Sequence, residues 1–297
     1  MIAKLIAISL FFNKIKTQFL LTIYKKKMTP PQKAYTTIPI KYIFALCFCA
    51  ALCVKSIAQE LPATPLGHSH NDYKRSTPFS TAVESGMGSI EADVFLKQGE
   101  LCVAHTRWKC DRKRTLDKLY LQPIAEAMRN GKAYKVQLVI DIKNHPRATL
   151  SALIKNLGRY PDVFNEKSPF TIIISGKRPA REEWENIPNY IYFDGRPSEN
   201  YSDAQQKRIG MVSANFRHYK HYWKKLEDNK TDANSPLKKF VDVCHAKGKK
   251  IRLWNAPDNN KAWKKFVALG VDFINTNKPL KLSLFFQKSV LPTANGQ

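Results

Sequence analysis

The chain has 297 residues, 43% of them hydrophobic and 11% aromatic, with 49 Lys and Arg against 24 Asp and Glu and a formal net charge of +25. This composition excludes a disordered or fibrous chain and fits one large globular domain with a substantial core. The positive balance points to an anionic partner, but the lysines are dispersed and no zinc-finger spacing or RNP motif occurs, so a phosphorylated small molecule or anionic lipid is expected and nucleic acid is not.

Before Gln59 the chain carries nine Lys and no acidic residue, and "YIFALCFCAALCV" (42–54) is apolar throughout, preceded by Lys41 and followed by Ser56 and Ala58. A charged start, a short apolar run and small residues at the cut predict a secretory signal peptide cleaved before Gln59; the run falls short of the roughly 20 apolar residues that span a bilayer. Export to the periplasm or the extracellular space follows as an expectation. Residues 1–27 hold a second apolar run, and Met28 can begin an ordinary signal peptide, so 1–58 is set aside as signal peptide and misassigned upstream start; an uncleaved amphipathic anchor is the alternative. The expected catalytic domain is 59–297, whose 40 basic and 24 acidic residues still leave a charge near +16. Of its three cysteines, Cys102 and Cys110 either bridge to clamp the loop holding His105 or remain thiols along with Cys244.

From Pro65 onward, short β-branched runs recur in a fixed rhythm. Strands are predicted at 65–70 ("PLGHSH"), 89–95 ("SIEADVF"), 137–143 ("QLVIDIK"), 170–175 ("FTIIIS"), 190–194 ("YIYFD"), 210–214 ("GMVSA"), 250–255 ("KIRLWN") and 272–276 ("DFINT"). Helical patterns fall between several of them, in "PFSTAVESG", "LQPIAEAMRN", "RATLSALIKNLGRY", "SPLKKFVDVCHAKG" and "KAWKKFVALG", each closing on or near a Gly or Asn. Apolar strands alternating with helices imply a parallel sheet covered on its outer face, and eight such units in this length predict an α/β fold of the TIM (β/α)8 barrel type. An open doubly wound sheet is the competitor, but no Gly-rich phosphate loop follows the first strand.

Function in such a barrel collects where the strands end, and so do the unusual residues of this chain. Side chains at i and i+2 of a strand share a face, which pairs His68 with His70 in "HSH", Glu91 with Asp93 in "EAD", and Asp141 with Lys143 in "DIK". Three carboxylates in one barrel mouth repel each other and are costly to desolvate, whereas a hard divalent cation with oxygen ligands makes the same cluster favourable. Glu91, Asp93 and Asp141 are therefore expected to hold one Mg²⁺ or Ca²⁺; taken singly, each also fits a salt bridge or a solvated strand end. His105, in "LCVAHT" after the "KQGE" turn, brings an imidazole back to the same mouth, and His68 and His105 together make an acid–base pair suited to neutral pH.

In order and spacing these motifs resemble the glycerophosphodiester phosphodiesterase superfamily of PI-PLC-like barrels across residues 65–280: "GHSHNDY" its first catalytic histidine motif, "IEADV" its metal-binding strand, "VAHT" its second histidine, "IDIK" its acidic-x-Lys strand and "VDFINTNKP" its closing strand. Ser69-His70 stands where that family usually has Arg-Gly, Thr106 where it has Asp, and Asp141 where Glu is common; "HSHNDY" with "TLDKLYLQPI" is closer to the branch typified by the fungal protein altered inheritance of mitochondria six. The resemblance implies a PI-PLC-like TIM barrel and a metal-dependent phosphoric diester hydrolase acting on glycerophosphodiesters or phospholipid headgroups. His68, His105 and Lys143 would be catalytic, and His70, Asn71, Trp254 and Asn277 would contact substrate. "FRHYKHYWKK" (216–225) interleaves aromatic and basic residues, fitting either a peripheral membrane contact or a solvated rim. A monomer is expected. The competing readings are a catalytically inactive basic barrel that binds anionic lipid or glycan, and an amidohydrolase-like enzyme in which "HSH" itself holds the metal.

Overall fold

The structure is a computed structural model that describes residues 66–132, 134–223 and 235–289. The chain divides into Met1–Leu61 and Pro62–Gln297, and every described residue belongs to the second. The expected signal peptide, its cleavage point and the domain start at Gln59 therefore lie outside the described residues.

Eight parallel strands close on themselves. They are β1 (Leu66–Ser69), β2 (Met87–Lys97), β4 (Gln137–Ile142), β5 (Thr171–Gly176), β6 (Ile191–Gly195), β7 (Ile209–Asn215), β8 (Ile251–Trp254) and β9 (Phe273–Thr276), with β1 bonded both to β9 and to β2. The expected TIM-type barrel is the fold, and all eight predicted strands are present. The extra strand, β3 (Glu100–Val103), runs antiparallel on β2 in the register Val94 opposite Val103 and Lys97 opposite Glu100. Its turn holds Gln98 and Gly99 both at positive φ (51° and 81°), the backbone of a two-residue hairpin. Because β2 is 11 residues long, the hairpin projects past the barrel and β3 leads the chain back to the mouth, where it delivers His105.

The helices α1 (Ser80–Glu84), α2 (Gln122–Arg129), α3 (Pro146–Leu157), α6 (Pro236–Ala246) and α7 (Asn260–Leu269) occupy the five predicted segments. Among the described residues, α4 (Asp203–Lys207), α5 (Lys220–Trp223) and α8 (Pro279–Ser289) are helices outside those five segments. In α8 the leucines of "PLKLSLFF" alternate like a strand. The helix nevertheless buries Leu282 and Phe285 against the core and leaves Leu280 and Leu284 in solvent, a helical spacing on the buried face. Between β5 and β6 a 3₁₀ turn, Arg181–Asn186, replaces the usual helix and lays Trp184 on Phe193 with ring centroids 4.0 Å apart. That indole covers the barrel wall, and its removal would cost about 3–5 kcal/mol.

Inside the barrel, Val139, Ile173, Met211 and Phe273 pack with Leu66 and Tyr192 into an apolar plug. Toward the C-terminal ends of the strands the inward positions turn polar and open into a mouth.

Candidate active site

The mouth is a cavity of about 650 Å³ lined by His70, Asn71, Glu91, Asp93, His105, Asp141, Lys143 and Trp254, together with Ser175, Asp194, Ser213 and Arg252 from later strands. Two residues expected in it, His68 and Asn277, are not part of its lining.

His68 is placed apart from the cavity surface. It lies on the inward face as its i, i+2 relation to His70 requires, but one layer deeper and fully buried. Its register partner is Ser89, two residues before Glu91 on β2. Its Nδ1 is 2.6 Å from Ser89 Oγ, which also accepts from Gln137 Nε2 at 2.8 Å. Arg252 Nη1 donates to its Nε2 at 2.5 Å. The same Nε2 lies 3.3 Å from Glu91 Oε2, so Arg252 and Glu91 meet at one ring nitrogen and Ser89 at the other. Burial, with the Arg252 charge added, lowers the His68 pKa to about 3. Held on both nitrogens beneath the cavity, the ring does not itself line it.

His70 is the imidazole that reaches the mouth, its side chain about one-third exposed. Asn277 Oδ1 lies 3.0 Å and Asn71 Nδ2 2.9 Å from its Nδ1, which turns Nε2 toward Glu91, 3.7 Å from Oε2. Asn277 thus orients the imidazole from behind. It is fixed in turn by Asp258, which accepts from the Asn277 backbone N–H at 2.9 Å. In "HNDY", Asn71 adopts the left-handed conformation (φ 52°) and starts a 3₁₀ turn, Asp72–Lys74. Buried Asp72 pins that turn by accepting from Ser69 Oγ at 2.8 Å, the Phe79 N–H at 2.8 Å and Tyr120 Oη at 3.1 Å.

The turn delivers Tyr73, a residue that sequence reasoning missed. Its hydroxyl lies 2.7 Å from Asp93 Oδ2, 2.7 Å from Asn71 Oδ1 and 3.2 Å from His105 Nδ1. His105 Nδ1 is also 3.3 Å from Asp93 Oδ2, and its side chain is exposed. One hydroxyl therefore ties the first histidine's loop, the acidic strand and the second histidine together.

Glu91, Asp93 and Asp141 bring one carboxylate oxygen each within 4.8 Å of the others, and no other cluster of three His, Cys, Asp or Glu with such geometry occurs among the described residues. An all-oxygen donor set fits a hard cation such as Mg²⁺ or Ca²⁺. It does not fit the histidine-ligated metal of the amidohydrolase-like reading. Lys143 Nζ lies 3.1 Å from Asp93 Oδ1 and 2.8 Å from Asp141 Oδ2. Burial raises the Asp141 pKa to about 6 against the opposing pull of Lys143, with Glu91 and Asp93 adding to the rise. Burial would raise Glu91 too, but Arg252, 3.6 Å away, and His68 hold it below the ordinary carboxylate range. Arg252, the second residue missed, alternates with Trp254 on β8, and the same period-2 reading that selected the carboxylates would have found it. Tyr73 sits in a turn, where no periodicity points inward.

Trp254 is 39% exposed at the cavity edge. In 216–225, Phe216 is buried and packs edge-on against Trp223 at 5.2 Å, so part of the aromatic content of that segment is core. Cys102, Cys110 and Cys244 are free thiols.

Residues 56–135 match the AIM6-like phosphodiesterase domain, and residues 250–279 match the glycerophosphoryl diester phosphodiesterase family. Altered inheritance of mitochondria protein 6 of Eremothecium gossypii is 24% identical over 273 residues, covering 75% of this chain and 70% of its own length. The Arthroderma benhamiae homolog is 24% identical over 258 residues, covering 71% and 80% respectively. A glycerophosphodiester phosphodiesterase from Parabacteroides distasonis superposes with a TM-score of 0.52 at 16% identity, over 76% of this chain and 98% of that one. In the order of its motifs and in the barrel that carries them, the chain resembles the AIM6-like branch of the glycerophosphodiester phosphodiesterase superfamily of PI-PLC-like barrels.

Proposed function

We propose that the chain is an exported, metal-dependent phosphoric diester hydrolase in which His70 and His105 are the acid and base. The observation that carries this reading is the grouping of two reachable imidazoles, one beside Glu91 and one beside Asp93, around a three-carboxylate cluster and a lysine ammonium at the mouth of a barrel.

Glu91, Asp93 and Asp141 would hold one Mg²⁺ or Ca²⁺, which supplies charge neutralisation to the non-bridging phosphoryl oxygens when bound. Lys143 contributes a further positive charge there, aimed where the transition state accumulates negative charge. Lys143, now paired with Asp93 and Asp141, is placed to face an incoming anion. His70 and His105 divide proton removal from the attacking hydroxyl and proton delivery to the leaving oxygen. Asn277 and Asn71 fix one ring, Tyr73 and Asp93 the other, so both imidazoles are oriented before substrate arrives. Trp254 offers an apolar wall to the leaving group. Glycerophosphodiesters and phospholipid headgroups are the proposed substrates, and the chain acts as a monomer.

Purified protein with bis-p-nitrophenyl phosphate, glycerophosphocholine and phosphatidylinositol, in Mg²⁺, Ca²⁺ or EDTA, tests the assignment. Hydrolysis abolished by EDTA is expected, and His70→Ala or His105→Ala should each lose roughly 10²–10⁴-fold in kcat. Turnover that survives in both variants would remove the imidazoles from the mechanism, and binding without turnover would favour the inactive lipid- or glycan-binding barrel.

A further inference from the structure

Trp108 is 92% exposed, far more than any other large hydrophobic side chain among the described residues. It sits in the loop between His105 and α2, at the middle of a 3₁₀ turn, Arg107–Lys109. Between Arg107 and Arg114 this loop carries five basic residues and one acidic residue, Asp111. Arg107, Lys109 and Lys113 are exposed, so the indole stands among cations. Leaving an indole in water forgoes the stabilisation of burying it, about 150–250 Å² of largely apolar surface.

The position of the loop supplies the second half of the argument. His105, which begins it, lines the cavity, and so do His218 and Tyr219, which precede another exposed aromatic, Tyr222. Both loops therefore border the mouth, and the second carries exposed cations too, Arg217 and Lys220. An aromatic ring with a polar N–H, ringed by lysine and arginine at the entrance to a phosphodiester site, matches the layering of an anionic bilayer: phosphate and carboxylate outermost, the carbonyl and acyl boundary beneath. A nucleic acid would satisfy the charge but not a single indole held at the apex of a tight turn, since strand binding uses stacked aromatics in series along a groove.

We propose that the Arg107–Arg114 loop docks the barrel mouth onto an anionic lipid surface, Trp108 entering the interface and the flanking cations pairing with lipid headgroups. This names the partner of the proposed active site and rests on that reading only for what happens after docking. The interface would present phosphodiester headgroups directly to His105.

Vesicles of phosphatidylcholine alone or with one-quarter phosphatidylglycerol, made with acyl chains brominated near the headgroup, test this on the full chain without turnover. The five tryptophans all lie beyond residue 107, so the N-terminal segment is silent in tryptophan fluorescence even where its lysines bind lipid. The expected result is emission quenching on the anionic vesicles, absent in Trp108→Phe, with bound fraction reduced at least several-fold in Trp108→Ala. In Arg107→Glu/Lys109→Glu, vesicle affinity should fall by about five-fold or more for each charge removed. Quenching that persists unchanged in Trp108→Phe overturns the insertion. Equal binding to both vesicle types overturns the electrostatic half, and Trp108-dependent binding of an oligonucleotide with no lipid quenching reassigns the surface. Hydrolysis of a soluble substrate, measured alongside, should be the same in Trp108→Ala as in the parent. Loss of vesicle binding with soluble turnover intact indicts docking alone, whereas absent turnover with vesicle binding intact indicts the active-site assignment alone.

Discussion

His68 and His70 differ by two positions in sequence and by a whole layer in the barrel. Periodicity fixes which face a strand residue takes, but a rise of about 3.3 Å per residue separates i from i+2 by more than the reach of a hydrogen bond, so successive inward residues of one strand lie at different depths. The same-face pairing of "HSH" was therefore legible in the sequence and the depth was not, because depth depends on how far β1 is staggered against β2. The buried ring carries its own pH signature. With a folded pKa of about 3 against 6.5 in the unfolded chain, His68 is neutral in both states above pH 6.5 and costs nothing there. As pH falls from 6.5 toward 3 the unfolded chain binds a proton that the native protein refuses, and stability drops by roughly 1.4 kcal/mol per unit. Urea denaturation at pH 7.5, 5.5 and 4.5 should show this acid limb flattened in His68→Gln relative to the parent. Parallel curves for the two proteins would mean that His68 is not held neutral.

The eight strands were legible because buried parallel strands read as runs of β-branched residues, as in the apolar centres of "QLVIDI" and "TIIISG", each followed by a polar residue, Asp141 or Ser175, where the site begins. The β5–β6 crossover and α8 were not, since one uses a 3₁₀ turn and the other a leucine alternation that mimics a strand. The end of β5 shows how an element sets the site without contributing a ligand. Gly176 has φ +67°, and a Cβ there would overlap Asp141 Oδ1 and come within 2.6 Å of the Ile142 carbonyl oxygen. Gly176→Ala should therefore cost about 1–3 kcal/mol in stability through backbone strain and displace the Asp141 carboxylate. The two effects separate experimentally. Thermal denaturation in EDTA reads the strain, and titration with Mn²⁺ followed by electron paramagnetic resonance reads the carboxylate, with an affinity loss of about ten-fold or more expected. An alanine variant that binds Mn²⁺ as the parent does would place Asp141 outside the cation site.

At the scale of the whole molecule the carboxylate cluster is a source of instability that a bound cation would relieve. Asp141 titrates near pH 6 in the fold, above its ordinary 3.8, chiefly because it is buried. The native protein therefore holds that proton more tightly than the unfolded chain between pH 3.8 and 6. Below 3.8 the group gives its full relative stabilisation; as pH rises through 6 this is lost, leaving roughly 3 kcal/mol against the ionised form at neutral pH. The sign is opposite to that of His68, so between pH 3.8 and 6 the two slopes nearly cancel in the metal-free protein. A divalent cation reverses the balance on the alkaline side, because binding requires the ionised carboxylate and releases its proton. The rise in Tm on adding millimolar Mg²⁺ or Ca²⁺ should accordingly be near zero at pH 5 and grow to several degrees at pH 7.5, following the usual dependence of apparent stability on free ligand over Kd. Asp141→Asn removes the buried charge and a ligand at once. That variant should be more stable than the parent in EDTA at pH 7.5 and show little response to either cation, whereas a metal-induced shift equal to the parent's would place the cation elsewhere in the molecule.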